Sequence, residues 1–217
     1  LGVVIEKVAY TPLRSAPRLS LLITAIGISF LLENGAQLIF GADSKSMDPM
    51  VTGNLSVGGI SISYAALITI LVSVAAMLLL TFLVQGTKLG KAMRAVSEDM
   101  GAAQLMGINI NKTISFTFAV GSALAGIGSV LYMCAYPQAS PTMGSMLGLK
   151  AFVAAVLGGI GSIPGAVIGG FAIGMAEALV SAAGLSVWKD GVVFAILIVV
   201  LLVKPTGILG RPITEKV

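Results

Sequence analysis

Two stretches of this chain, 64–84 and 113–133, contain no charged side chain at all. A helix needs about 20 consecutive apolar residues to cross the hydrocarbon core of a bilayer. There every backbone N–H and C=O must be satisfied within the segment, which leaves the helix as the form such runs take. The rest of the chain agrees. Hydrophobic residues make up 57% of the 217, charged residues 10%, and mean hydropathy is +1.03. A soluble domain carries about 25% charged residues. The net charge of +4 is scattered between apolar runs, which argues against a nucleic-acid partner. With no His and a single Cys, Cys134, neither a metal site nor an internal disulfide is expected, and no cofactor motif is present.

Further runs fit the same pattern. Residues 19–40 are long enough to span but carry Glu33, Asn34 and Gln37; residues 164–183 are long enough and carry Glu177. The last run, from Gly191, spans only if it begins near Leu185, with Lys189 and Asp190 near the surface. Residues 147–163 are short, interrupted by Gly158, Gly159 and Gly161, and run into Pro164-Gly165. Two forms are open: a broken helix at membrane depth, of the kind that lines transport pathways, or two helices joined by a tight turn. The expected fold is all-α: a polytopic membrane helix bundle of about six spanning or broken helices. The opening "LGVVIEKVAY" lacks the features of a signal peptide and reads as a helix leaving the membrane at Glu6-Lys7, so further N-terminal sequence is expected before it.

Charge sets an expected orientation. With 86–112 in the cytoplasm and the spans alternating, Lys7, Arg14, Arg18, Lys88, Lys91, Arg94, Lys112, Lys204, Arg211 and Lys216 lie inside, against Lys45, Lys150 and Lys189 outside. Cytoplasmic loops carry such an excess of Lys and Arg. Tyr132, Tyr136 and Trp188 then fall near the outer boundary, as an aromatic belt does. Small residues recur at four-residue spacing, as in Gly121/Ala125 and Gly165/Gly169, which lets helices approach closely in lipid.

The charged insert at 86–112 has two faces. Leu89, Met93, Val96 and Met100 share one helical side, while Lys91, Arg94 and Glu98 occupy another, with Arg94 and Glu98 at an i, i+4 spacing. "GAAQLMGIN" follows, and Gly107 is the expected helix terminator. Such an element suits docking into another protein's groove, resting on headgroups, or a solvated loop. "GTKLGKAM" imitates a phosphate-binding loop but fails it. Three residues separate Gly86 from Gly90, and Ala92 stands where a hydroxyl is required.

Four segments carry a resemblance: "LGVVIEKVAYTPLRSAPRLSLLITAIGIS", "GTKLGKAMRAVSEDMGAAQLMGINI", "AVLGGIGSIPGAVIGGF" and "VLLVKPTGILG". In this order they resemble the LivH-type permease family of bacterial branched-chain amino acid ABC importers, across nearly the whole chain. "AAQLMGIN" is similar to the A-A-x-x-x-G core of the family's coupling loop, although Gly101 stands where a Glu is usual. The resemblance implies a single transmembrane permease domain over 1–217, with 86–112 as its cytoplasmic coupling loop. It implies Met93, Arg94, Val96, Glu98, Asp99, Ala102, Ala103 and Gly107 as ATPase-coupling residues. The implied partners are a second homologous permease subunit, two cytoplasmic ATPase subunits, a periplasmic substrate-binding protein and membrane lipid. The chain would not itself be an enzyme and would sit in the bacterial inner membrane with its C-terminus cytoplasmic.

An ion-coupled secondary transporter is the rival reading. It calls for membrane-embedded acids, and only Glu33 and Glu177 qualify. A membrane enzyme finds no His beside any Ser and no H-E-x-x-H motif.

Overall fold

The structure, a computed structural model, describes residues 1–13, 16–57, 60–204 and 206–210. Arg14, Arg211 and Lys216, counted above as inside cations, lie outside the described residues, as does the side chain of Arg18. The chain is all-α apart from short strand pairs. Among the described residues five helices are long and apolar enough to cross a membrane, and a sixth, shorter apolar helix accompanies them. Two compact units form, Leu1–Pro141 and Thr142–Val217.

In the first unit, α1 (Gly2–Ile5) runs into a π turn, Glu6–Tyr10, and packs against α6 (Ile110–Ala135). The Glu6 side chain is not turned out to water. It is fully buried, accepting hydrogen bonds from Ser115 Oγ at 2.6 Å and Thr11 Oγ1 at 3.0 Å. The early turns of α6 supply the hydroxyl that makes this burial tolerable. Tyr10 stacks near Phe118, ring centroids 5.2 Å apart.

α2 (Arg18–Phe40) and α3 (Tyr64–Gly86) are spans whose outer surfaces remain apolar; Leu71, Leu79 and Phe82 are all exposed. Apolar surface on this scale on a helix of spanning length belongs against lipid. Between them the chain makes strands absent from the sequence reading. β2 (Asn54–Val57) pairs antiparallel with β3 (Ile60–Ser63) and leads directly into α3. β1 (Lys45–Ser46) pairs with β4 (Gln138–Ala139), tying the segment after α2 to the segment after α6.

In the second unit, α7 (Met143–Gly158), α8 (Ile163–Ala182) and α9 (Lys189–Val203) surround a core of Val153, Ile173 and Val193, with Ala154, Phe194 and Leu197 against it. Small residues decide how closely α7 and α8 meet. A side chain at Gly165 would strike the Gly158 carbonyl oxygen, and one at Gly169 the Ala154 carbonyl oxygen. The Gly165/Gly169 pair is therefore a packing face. Gly121, Gly126 and Gly174 by contrast have open space where a side chain would be.

In the structure 147–163 is the end of one helix, a turn and the start of the next. α7 is continuous to Gly158, residues 159–162 turn, and α8 starts at Ile163 with its N-terminus capped by Ser162 Oγ, which accepts from Gly165 N at 3.2 Å. Pro164 lies in the first turn of α8, where its missing donor costs nothing. Residues 206–210 lie over the end of α7. Ile208 N donates to Leu157 O and Leu209 N to Gly158 O, both at 2.9 Å. Two of the segments quoted above, "AVLGGIGSIPG" and "KPTGILG", thus meet in space.

Candidate functional site

The charged insert folds as two helices rather than one. α4 (Lys88–Glu98) leaves α3 through a corner built on Thr87, whose Oγ1 donates to Leu83 O at 2.6 Å and accepts from Gly90 N at 3.0 Å. One residue ends α3 and starts α4. A side chain at Gly90 would collide with the Leu83 and Val84 carbonyls, so the corner can be this tight only with glycine there.

Asp99 then interrupts the helix with extended backbone (φ −153°, ψ 110°) and caps α5 (Met100–Leu105). Its Oδ1 accepts from Gly101 N at 2.8 Å and Ala102 N at 3.0 Å. α5 ends in a Schellman arrangement: Ile108 N donates to Ala103 O and Gly107 N to Gln104 O, both at 3.0 Å, with Gly107 at φ 79°. Asn109 starts α6 by the same device, its Oδ1 accepting from Lys112 N at 3.1 Å. The insert is thus a sequence of defined corners.

This geometry changes the expected apolar stripe. Of Leu89, Met93, Val96 and Met100, Val96 is buried and Met93 half-buried, while Leu89 and Met100 are exposed. The break at Asp99 places Met100 on a new helix, out of phase with α4. No ion pair joins Arg94 and Glu98 among the described residues. Both side chains reach solvent, where such a pair gains little. Of the Ala-Ala pair, Ala103 is buried at 3% exposure and Ala102 faces out. α4 and α5 pack on each other and on α6.

Two residues were missed in the sequence reading. Leu105 is 91% exposed and Met106 82%, side by side at the end of α5 just before the Gly107 turn. Their signal in the sequence is an apolar pair inside the one charged insert, lying off the α4 stripe.

A second cluster was also missed. Lys150, counted above among the outside cations, is not in a loop but in the middle of α7. Its Nζ is 2.7 Å from Glu177 Oε1 on α8 and 2.7 Å from Asp190 Oδ1 on α9. Glu177 is therefore ion-paired rather than poised alone. Among the described residues no group of His, Cys, Asp and Glu could hold a metal ion.

A family model described as "Branched-chain amino acid transport system / permease component" matches residues 2–201. The high-affinity branched-chain amino acid transport system permease protein LivH of Escherichia coli K12 is 48% identical over 219 residues, covering 98% of this chain and 71% of that protein. BraD, the corresponding permease protein of Pseudomonas aeruginosa, is 45% identical over 221 residues, covering 100% and 72%. The xylose transport system permease protein XylH of Escherichia coli K12 is 33% identical over 107 residues, covering 43% of this chain and 27% of that one. No solved structure matches. Matched along most of its length, and sharing nearly half its residues with such proteins, the chain belongs to the permease-component family of branched-chain amino acid transport systems.

Proposed function

We propose that this chain is the membrane-embedded permease subunit of an ATP-driven importer of branched-chain amino acids. It acts as one transmembrane domain beside a second, homologous permease. A periplasmic binding protein delivers the amino acid, and two cytoplasmic ATPases hydrolyse ATP. The insert 86–112 and the C-terminus face the cytoplasm, as the excess of Lys and Arg on that side supports. Substrate moves as the spans rock between outward- and inward-facing arrangements.

The observation that carries this reading is the α4–α5 insert. It projects an apolar tip, Leu105–Met106, from a charged segment whose every corner is capped. A solvated loop has no use for such a tip. A short rigid knob seated in an ATPase groove does, because hinge closure of the ATPases must be passed on without being absorbed by the connection. Met93, Val96 and Ala103 hold the knob against the spans; Arg94, Glu98, Asp99 and Ala102 surround the seat; Gly107 returns the chain to α6. An ion-coupled carrier receives less support, since Glu177 is neutralised by Lys150.

The test is uptake of labelled leucine by proteoliposomes holding the complete complex, with co-purification of the ATPases as the assembly readout. Leu105→Asp with Met106→Asp is expected to insert normally, lose most ATPase co-purification and abolish uptake. Full assembly and uptake in this double variant would refute the coupling role.

A further inference from the structure

The second unit is held differently at its two ends. At the 159–162 end, α7 and α8 touch backbone to backbone at Gly158 and Gly165, and the Ile208 and Leu209 amides hydrogen-bond to the end of α7. A side chain on either glycine would hold the helices apart there, so this end packs more closely than any other residue pair would allow. At the other end the three helices are joined by charge. Lys150, Glu177 and Asp190 come one from each helix, and their side chains are 21%, 25% and 35% exposed. Counted along the helices, they lie about 10, 8 and 2 Å from that end. Beneath them is the apolar core, with Val153 1% and Val193 0% exposed. Ionisable groups at such depth are expensive, and in membrane proteins they mark pathways and moving parts.

We propose that Lys150 is a positioning residue for transport: with Glu177 and Asp190 it forms an ion clasp that closes this end of α7, α8 and α9 and parts during the transport cycle. Under the topology above this is the periplasmic end, and the proposal rests on the transport reading. The stoichiometry is what suits a gate. A static staple between two helices needs one acid for one lysine, and a lone ammonium left in apolar surroundings is strongly unfavourable. With two acids on two different helices, either helix can move away while Lys150 keeps a carboxylate. The closed and open arrangements then differ by one ion pair, and no bare cation is exposed along the way. The glycine contacts at the opposite end act as the hinge.

The experiment uses the complete complex with Cys134→Ser and Val153→Cys, the new thiol lying in the core beneath the clasp. Its modification by an impermeant maleimide is followed with and without a non-hydrolysable ATP analogue. With the clasp intact, labelling rates are expected to differ between the two states by at least about fivefold, the low end of ordinary coupling between sites. Lys150→Met abolishes the difference and Lys150→Arg keeps it. Glu177→Gln or Asp190→Asn singly reduces it, since opening must then strip Lys150 of its last carboxylate, and the two together lose it. This double variant gives the same readout if Lys150→Met fails to assemble. Leucine uptake by the complex with the clasp intact is measured first; its absence overturns the transport reading and the clasp with it. Uptake with labelling independent of nucleotide, or a nucleotide effect surviving in Lys150→Met, overturns the clasp alone.

Discussion

Gly107 offers a clean test of the coupling insert, because its surroundings remove every cost but one. A side chain built at this position meets no atom within 4 Å, so nothing there opposes bulk. What opposes it is the backbone: φ is 79°, and the Schellman bonds from Gly107 N and Ile108 N depend on that conformation. An L-residue in the left-handed region costs roughly 1–2 kcal/mol. Asn tolerates the region better than other residues, and a β-branched residue there is a true outlier. The expected order of damage is therefore Gly107→Asn, then Ala, then Val. α5 has six residues, too few to hold a helix by itself. A loss of 1–2 kcal/mol then lowers the population of closed α5 by roughly 5- to 30-fold. Two assays read this. Hydrogen exchange at the Gly107 and Ile108 amides should quicken in that order, and ATPase co-purification with leucine uptake should fall in the same order. Equal uptake and equal exchange in the Asn and Val variants would refute both the left-handed cap and the claim that a rigid α5 end is needed for coupling.

Other outcomes follow from the same geometry. Single cysteines at the exposed Ser97 and Ser46, in a Cys134→Ser background, should differ in labelling by an impermeant reagent in intact cells: position 46 labels and position 97 does not, and the reverse result refutes the topology. Ala102→Trp should leave the subunit folded but block ATPase co-purification, whereas Ala103→Trp, at a buried site, should also lower the thermal stability of the purified subunit; equal stability in the two would count against the α5 packing. Gly165→Val forces α7 and α8 apart at the Gly158 carbonyl and should destabilise the subunit by about 1–3 kcal/mol, read as a lowered midpoint of thermal unfolding in detergent, while Gly174→Val, in open space, should not. Glu33→Gln should preserve ATP-driven uptake; loss of uptake that tracks the pH gradient would restore the secondary-transporter reading.

The spans were legible because length and apolarity are local properties. The uncharged runs at 64–84 and 113–133 became the helices Tyr64–Gly86 and Ile110–Ala135, capped at Ser63 and Asn109. Gly107 was legible for the same reason, since glycine after an amphipathic segment ends helices wherever it occurs. The β2–β3 pair has a local signal too: Asn54 to Val57 and Ile60 to Ser63 alternate polar and apolar residues about Gly58-Gly59, a period of two that is short beside the long apolar runs around it.

What the sequence determined by itself is a membrane-spanning, all-α chain with one charged insert, because in hydrocarbon a run of uncharged residues has only the helix in which to satisfy its backbone. Which side chains meet was decided by tertiary structure alone. Nothing local tells Glu6 that Ser115 will solvate it, or distinguishes Ala103, turned inward, from Ala102, turned out. Lys150 looks in the sequence like any cation near a span end. It becomes a three-helix tie only when α7, α8 and α9 pack closely enough, over Gly158, Gly165 and Gly169, to bring one ammonium within reach of two carboxylates.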